Sequence, residues 1–76
     1  MKKLGKMKVV FDTEYFNERK KELDYTDKDV YVLAGLTKDQ IWKYKNHYAV
    51  PKSDTLYKIA MALDVQMEDL LREVYE

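Results

Sequence analysis

Lys38, Asp39, Gln40 and Lys43 fall within six consecutive positions, and all four carry side chains that exchange hydrogen bonds. A glutamine amide both donates and accepts, so Gln40 can grip the edge of an adenine with two bonds, and the ammonium of Lys38 or Lys43 can donate to guanine. The competing use of Gln40 is local. Thr37-Lys38-Asp39-Gln40 is a capping box, in which the threonine oxygen takes the Gln40 amide and the glutamine side chain returns to the threonine amide. Bond-making chemistry has little to draw on: the chain has no cysteine, no glycine-rich phosphate loop, and one histidine. That histidine, His47, has no nucleophile and no second ligand type at metal spacing near it, so it reads as a turn residue. No catalytic residue, metal site, cofactor or small-molecule substrate is expected, and the chain does not read as an enzyme.

The four polar residues need a helix to hold them. Ile41 and Tyr44, three apart, share one face, which leaves Lys38, Asp39, Gln40, Trp42 and Lys43 spread over the others. A helix over about 38–45 therefore has an apolar back and a polar front. The helix before it carries Val30, Leu33 and Ala34, starts at Thr26 with Asp29 three residues on, and is closed by Gly35, which reaches the left-handed conformation without cost. Upstream, Asp12 or Thr13 caps a first helix holding Phe16, Arg19, Lys20 and Leu23. Downstream, Asn46-His47 tolerate positive φ, Pro51 enforces an extended approach, and Ser53 caps a fourth helix with Leu56, Ile59, Ala60 and Leu63 inside. The spacing of Leu70, Leu71 and Val74 predicts a fifth helix from about Met67 to Tyr75.

Residues 1–11 read as an N-terminal arm on a domain spanning 12–76. Met7-Lys8-Val9-Val10-Phe11 is a β-like apolar run with no hairpin partner following it, so Val10 or Phe11 is expected to tuck against the domain. A basic arm that touches DNA, or an edge strand that pairs with a second subunit, is the alternative use. The expected fold class is all-α, a compact orthogonal five-helix bundle with a basic N-terminal arm.

Size and charge bound the function. Seventy-six residues make one small core, and no apolar run approaches the ~18 residues a membrane span needs. The lysine-rich start lacks the apolar stretch of a signal peptide, and the absence of cysteine fits a cytoplasmic address. Net charge is zero, which argues against coating nucleic acid by bulk electrostatics. The charge is unevenly placed, however. Residues 36–52 hold Lys38, Lys43, Lys45 and Lys52 against Asp39 alone, whereas the C-terminal stretch sets Asp64, Glu68, Asp69, Glu73 and Glu76 against Arg72.

The run Val30-Tyr31-Val32-Leu33-Ala34-Gly35-Leu36-Thr37-Lys38-Asp39-Gln40-Ile41 resembles the helix-turn-helix core of the Cro/C1 family, also called XRE or lambda-repressor-like. Around it, Lys20 to Thr26 is similar to the family's junction between the first two helices. Pro51-Lys52-Ser53-Asp54-Thr55-Leu56, Ile59 to Leu63 and Val65 to Leu71 resemble its fourth and closing helices. The likeness covers roughly residues 14–72. It implies binding to double-stranded DNA, with helix 38–45 as the recognition helix in the major groove and its N-terminal amides favouring phosphate. By the same resemblance Lys45, Asn46, Tyr48 and Lys52 lie where family members often touch the phosphate backbone. The chain departs from the family at four places. Tyr31 stands for a small alanine at the helix crossing, Asp27 for a glutamine near the DNA backbone, Lys45 for a glutamate and His47 for a glycine. These departures suggest a diverged member of the kind found among phage Cro-like regulators and mobile elements.

The leading expectation is a sequence-specific, repressor-like transcriptional regulator acting as a homodimer, because one short helix reads too few base pairs. The alternative is a protein-interaction module that has lost DNA binding and uses Trp42, Tyr44, Tyr48 and Tyr31 as an aromatic anchor. Trp42 falls off the Ile41–Tyr44 face. It can lie against sugar-phosphate, meet a partner subunit or fold back on the Tyr48 loop, with a packing or interface role preferred to a base contact.

Overall fold

A computed structural model describes residues 7–75, so the basic residues Lys2, Lys3 and Lys6 of the expected arm lie outside the described residues. The chain runs β1 (Met7–Phe11), α1 (Thr13–Leu23), α2 (Asp27–Ala34), α3 (Lys38–Lys45), α4 (Ser53–Leu63), a 3-10 turn (Met67–Leu70) and β2 (Leu71–Tyr75). Each of the first three helices begins on a side-chain cap. Asp12 accepts from the Tyr15 amide, and both Thr26 with Asp29 and Thr37 with Gln40 close full capping boxes. Three helices end on left-handed residues, Asp24, Gly35 and Asp64, and His47 adopts φ 63° in the loop after α3. Gly35 at φ 71° turns the chain between α2 and α3 where a Cβ would be strained.

The core is one cluster. Phe16 of α1, Val30 of α2, Ile41 and Tyr44 of α3, and Leu56, Ile59, Ala60 and Leu63 of α4 meet Phe11 of β1 and Leu70 of the 3-10 turn. The inner face expected for α4 is thus the buried one. On α2 the expectation fails at Leu33, which is 59% exposed, whereas Val30 and Ala34 are the buried residues of that helix. Ser53 is the first helical residue of α4 rather than its cap. Lys52 holds that position and makes no side-chain capping bond.

The expected fifth helix does not form, and the all-α, five-helix reading is corrected to four helices with a small sheet. After one 3-10 turn the chain extends, and β2 pairs antiparallel with β1 in the register Met7↔Tyr75, Val9↔Glu73 and Phe11↔Leu71. The spacing of Leu70, Leu71 and Val74 fits either period over so short a run, and long-range pairing with Val9 and Val10 decides for the strand. The same pairing makes residues 7–11 a strand rather than an arm, while the expected tuck against the domain is found at Phe11. Their partner lies at the far end of the chain, not in a following hairpin, and Phe11 is fully buried against Phe16, ring centroids 5.3 Å apart. The Asp12 amide donates to the Leu70 carbonyl at 2.8 Å and extends the ladder onto the helical body.

Candidate nucleic-acid interface

The second helix of the motif, α3, is anchored through its back. Ile41 and Tyr44 are buried, and Tyr44 packs its ring 6.2 Å from that of Phe11. At 100° per residue this turns Asp39, Trp42 and Lys43 outward, with Lys38 at the edge of the same face. All four are exposed. Lys43 pairs with Asp39 one turn earlier at 3.3 Å, a contact between two exposed groups that water screens heavily.

The remaining expected contact residues divide by placement. Gln40 is half-buried at the side of α3, and its Oε1 accepts from the Thr37 backbone amide at 2.9 Å while its own backbone N–H donates to Thr37 Oγ1. Its local, capping use is therefore the one realised. Lys45 turns inward. Its Nζ donates to Asp27 at 2.8 Å and lies 6.0 Å from the centre of the Phe16 ring. Asn46 caps α3, donating from Nδ2 to the Trp42 carbonyl at 2.9 Å. Tyr48 stacks on Trp42 with ring centroids 5.2 Å apart and planes 13° from parallel, and Lys52 is exposed where α4 begins. Lys38, Asp39, Trp42, Lys43, Asn46, Tyr48 and Lys52 thus lie on the exposed surface of α3 and the loop after it, whereas Gln40 and Lys45 are engaged within the protein.

Asp27 organises the region between three helices. It is the first residue of α2, and its carboxylate accepts from Lys20 of α1 and Lys45 of α3. Burial on its own would raise the Asp27 carboxyl pKa, but the hydrogen bonds from Lys20 and Lys45 and their charges outweigh it and hold the group below the ordinary carboxylate value. Lys20 also sits over the Phe16 ring at 5.1 Å. The aspartate that stands where the family has a glutamine near the DNA backbone thus meets its counter-charges inside the protein, and the lysine that replaces the family's glutamate is one of its partners.

His47 has a comparable explanation. Its left-handed backbone turns the chain away from α3, and its Nε2 lies 3.0 Å from the Phe11 carbonyl and 3.3 Å from Thr13 Oγ1. A carbonyl only accepts, so Nε2 carries the proton. Thr13 in turn donates to the Lys45 carbonyl at 2.8 Å, which fastens the end of α3 to β1 and α1. Sequence reasoning missed this tie and the Asp27 network, since both join residues on different elements whose packing no local pattern reports. It also missed Lys28, which lines the cleft between α2 and α3 together with Tyr31, Lys38, Trp42 and Asn46. Tyr31 is half-buried and packs against the edge of the core, so the large residue at the helix crossing leans into this cleft.

Of the four aromatic side chains considered as a protein-binding anchor, Tyr44 is inside the core and Tyr31 is partly so. Only Trp42 and Tyr48 are displayed, and they face each other.

A comparison with curated proteins finds no match. The model of the Cro/C1-type HTH DNA-binding domain matches residues 18–74, from the second turn of α1 to the penultimate residue of β2, and so spans well over half of the chain. With a glycine-closed α2, a capped α3 anchored through Ile41 and Tyr44, and that match along the same elements, the chain belongs to the Cro/C1-type HTH DNA-binding domain family.

Proposed function

We propose that the protein is a sequence-specific, repressor-like transcriptional regulator that lays α3 in the major groove of double-stranded DNA and acts in the cytoplasm as a homodimer. The observation that carries this reading is the outward face of α3. Lys38 and Lys43 project from it, Asp39 is paired, and the opposite side of the helix is locked into the core. Lys52 and Asn46 continue the polar surface past the end of α3. Two subunits would be needed because eight helical residues span too few base pairs for a selective site. Among the described residues no helix is long and apolar enough to cross a membrane, so nothing in the described fold competes with this reading through a lipid span.

Selection of duplexes from a randomised pool, followed by titration of the winner at several salt concentrations, tests the proposal. With about four cationic contacts per subunit and two subunits, the logarithm of affinity is expected to fall with a slope of about −7 in the logarithm of salt. Recovery of no preferred sequence, or binding indifferent to salt, would contradict it. The second reading, a helix-turn-helix scaffold specialised for protein binding, finds little support in an anchor of which two rings are packed inside.

A further inference from the structure

We propose that the groove between the outer side of α4 and the 3-10 turn after it docks a basic, apolar-faced helical segment of another protein. Leu56, Ile59, Ala60 and Leu63 fill the inner side of α4, which leaves Tyr57 and Met61, four residues apart, together on its outer side at 54% and 64% exposure. Asp64 continues their row past the end of the helix. With Val65, Met67 and Glu68 these side chains line a groove of about 310 Å³. Its backbone is fixed before any partner arrives: the Val65 amide donates to the Ala60 carbonyl at 3.0 Å, and the Gln66 amide to the Asp69 carboxylate at 3.2 Å. Little backbone ordering therefore remains to oppose docking, while the two thioethers can reshape to fit an apolar side chain.

Charge selects the occupant. The charged residues of the lining are Asp64 and Glu68, and no lysine or arginine shares it among the described residues. Neither carboxylate makes an ion pair among the described residues, and Arg19, which borders the far side of Asp64, is engaged by the Leu63 carbonyl and by Glu22. A duplex is repelled by such a rim. A second copy offering the same face sets acid against acid. A small ligand needs an enclosed site with several converging polar groups, which this open groove lacks. What remains is a protein segment with apolar side chains for Tyr57, Met61 and Met67 and lysine or arginine beside them, the helix-in-groove mode of recognition. The exposed pair Val32 and Leu33 on α2 makes no such selection, because Lys28 borders it as well as Asp24 and Asp29.

Methionine methyl resonances report on the groove, since Met61 and Met67 line it and Met7 lies on β1. The whole chain, isotope-labelled at those methyls, is titrated with a synthetic helical peptide of about fourteen residues, leucines spaced three and four apart and lysines elsewhere. Two control peptides replace the lysines by glutamates or the leucines by serines. The Met61 and Met67 methyls are expected to move with the lysine–leucine peptide while Met7 stays, and each control is expected to bind at least about tenfold more weakly. Asp64→Asn/Glu68→Gln is expected to weaken the peptide about fivefold, because two exposed ion pairs are lost and asparagine keeps the left-handed backbone at residue 64. Met61→Ser is expected to weaken it on the order of tenfold, read at Met67. Circular dichroism checks that each variant is folded. Equal binding of either control, unaltered affinity in the folded variants, or no movement at about millimolar peptide would overturn the proposal. So would movement of Met61 and Met67 on concentrating the chain alone, which would make a second copy the occupant. The proposal does not rest on DNA binding and the test holds no duplex, so its failure leaves the reading of α3 untouched.

Discussion

Asp27 accepts from two ammonium groups that belong to two other helices, and so joins α1, α2 and α3 at one point. Its carboxyl is held below the ordinary carboxylate value, so the stabilisation it provides is fully present above that value and is lost as pH falls through the lower, folded one. Asp27→Asn is expected to lower stability by about 1 kcal/mol at pH 7, a modest figure because the group is part-exposed and screened. Urea unfolding at pH 7 and at about pH 3 checks the sign, since the gap between variant and wild type should shrink at the lower pH. A gap that grows under acid would show that the lysines do not hold the carboxylate charged. None of this network was legible along the chain. Lys20, Asp27 and Lys45 lie on three successive helices, and only the packing of those helices reveals that the aspartate meets both counter-charges. By contrast, the capping role of Gln40 was visible, because both halves of a capping box lie within four residues.

Among the elements, the four helices were readable to within a residue or two, for the same reason of locality. Caps at Asp12, Thr26 and Thr37 and the stop at Gly35 are short-range signals that act on adjacent amides. The strands were not readable as a pair. Met7–Phe11 looks β-like by composition, but its partner lies at the far end of the chain, and Leu71–Tyr75 carries a pattern too short to separate a helical period from an alternating one. The sheet is also what places Phe11 in the core, between the rings of Phe16 and Tyr44. Phe11→Ala is accordingly expected to cost about 3–5 kcal/mol, a large part of the stability of so small a domain, and to depress Tm by more than about 12 °C. Thermal unfolding measures it. A fall of only a few degrees would mean that residue 11 belongs to a loosely tucked arm after all.

At the scale of the molecule, the charge map and the fold mark the same side, the one proposed to face a duplex. The described chain measures 42 × 23 × 19 Å, with α3 on the helical body and its Lys38 and Lys43 exposed on the side away from the core. Acidic C-terminal residues are drawn into other tasks: Asp64 ends α4 in the left-handed conformation, Asp69 closes the 3-10 turn through the Gln66 amide, and Glu73 accepts from Tyr75 Oη at 3.0 Å. The face itself was largely legible in the sequence, because Ile41 and Tyr44 mark the buried side of α3 and so define the opposite one. The inward turn of Lys45 was not, since it depends on where α1 and α2 put Lys20 and Asp27. The most direct test of the account is the affinity of Lys38→Ala/Lys43→Ala for a selected duplex, with circular dichroism confirming an intact fold. Binding is expected to weaken at least about a hundredfold, with the salt slope reduced by about 4, since each of the two subunits loses two lysines. Wild-type affinity in the folded double variant would contradict the placement of α3 against DNA.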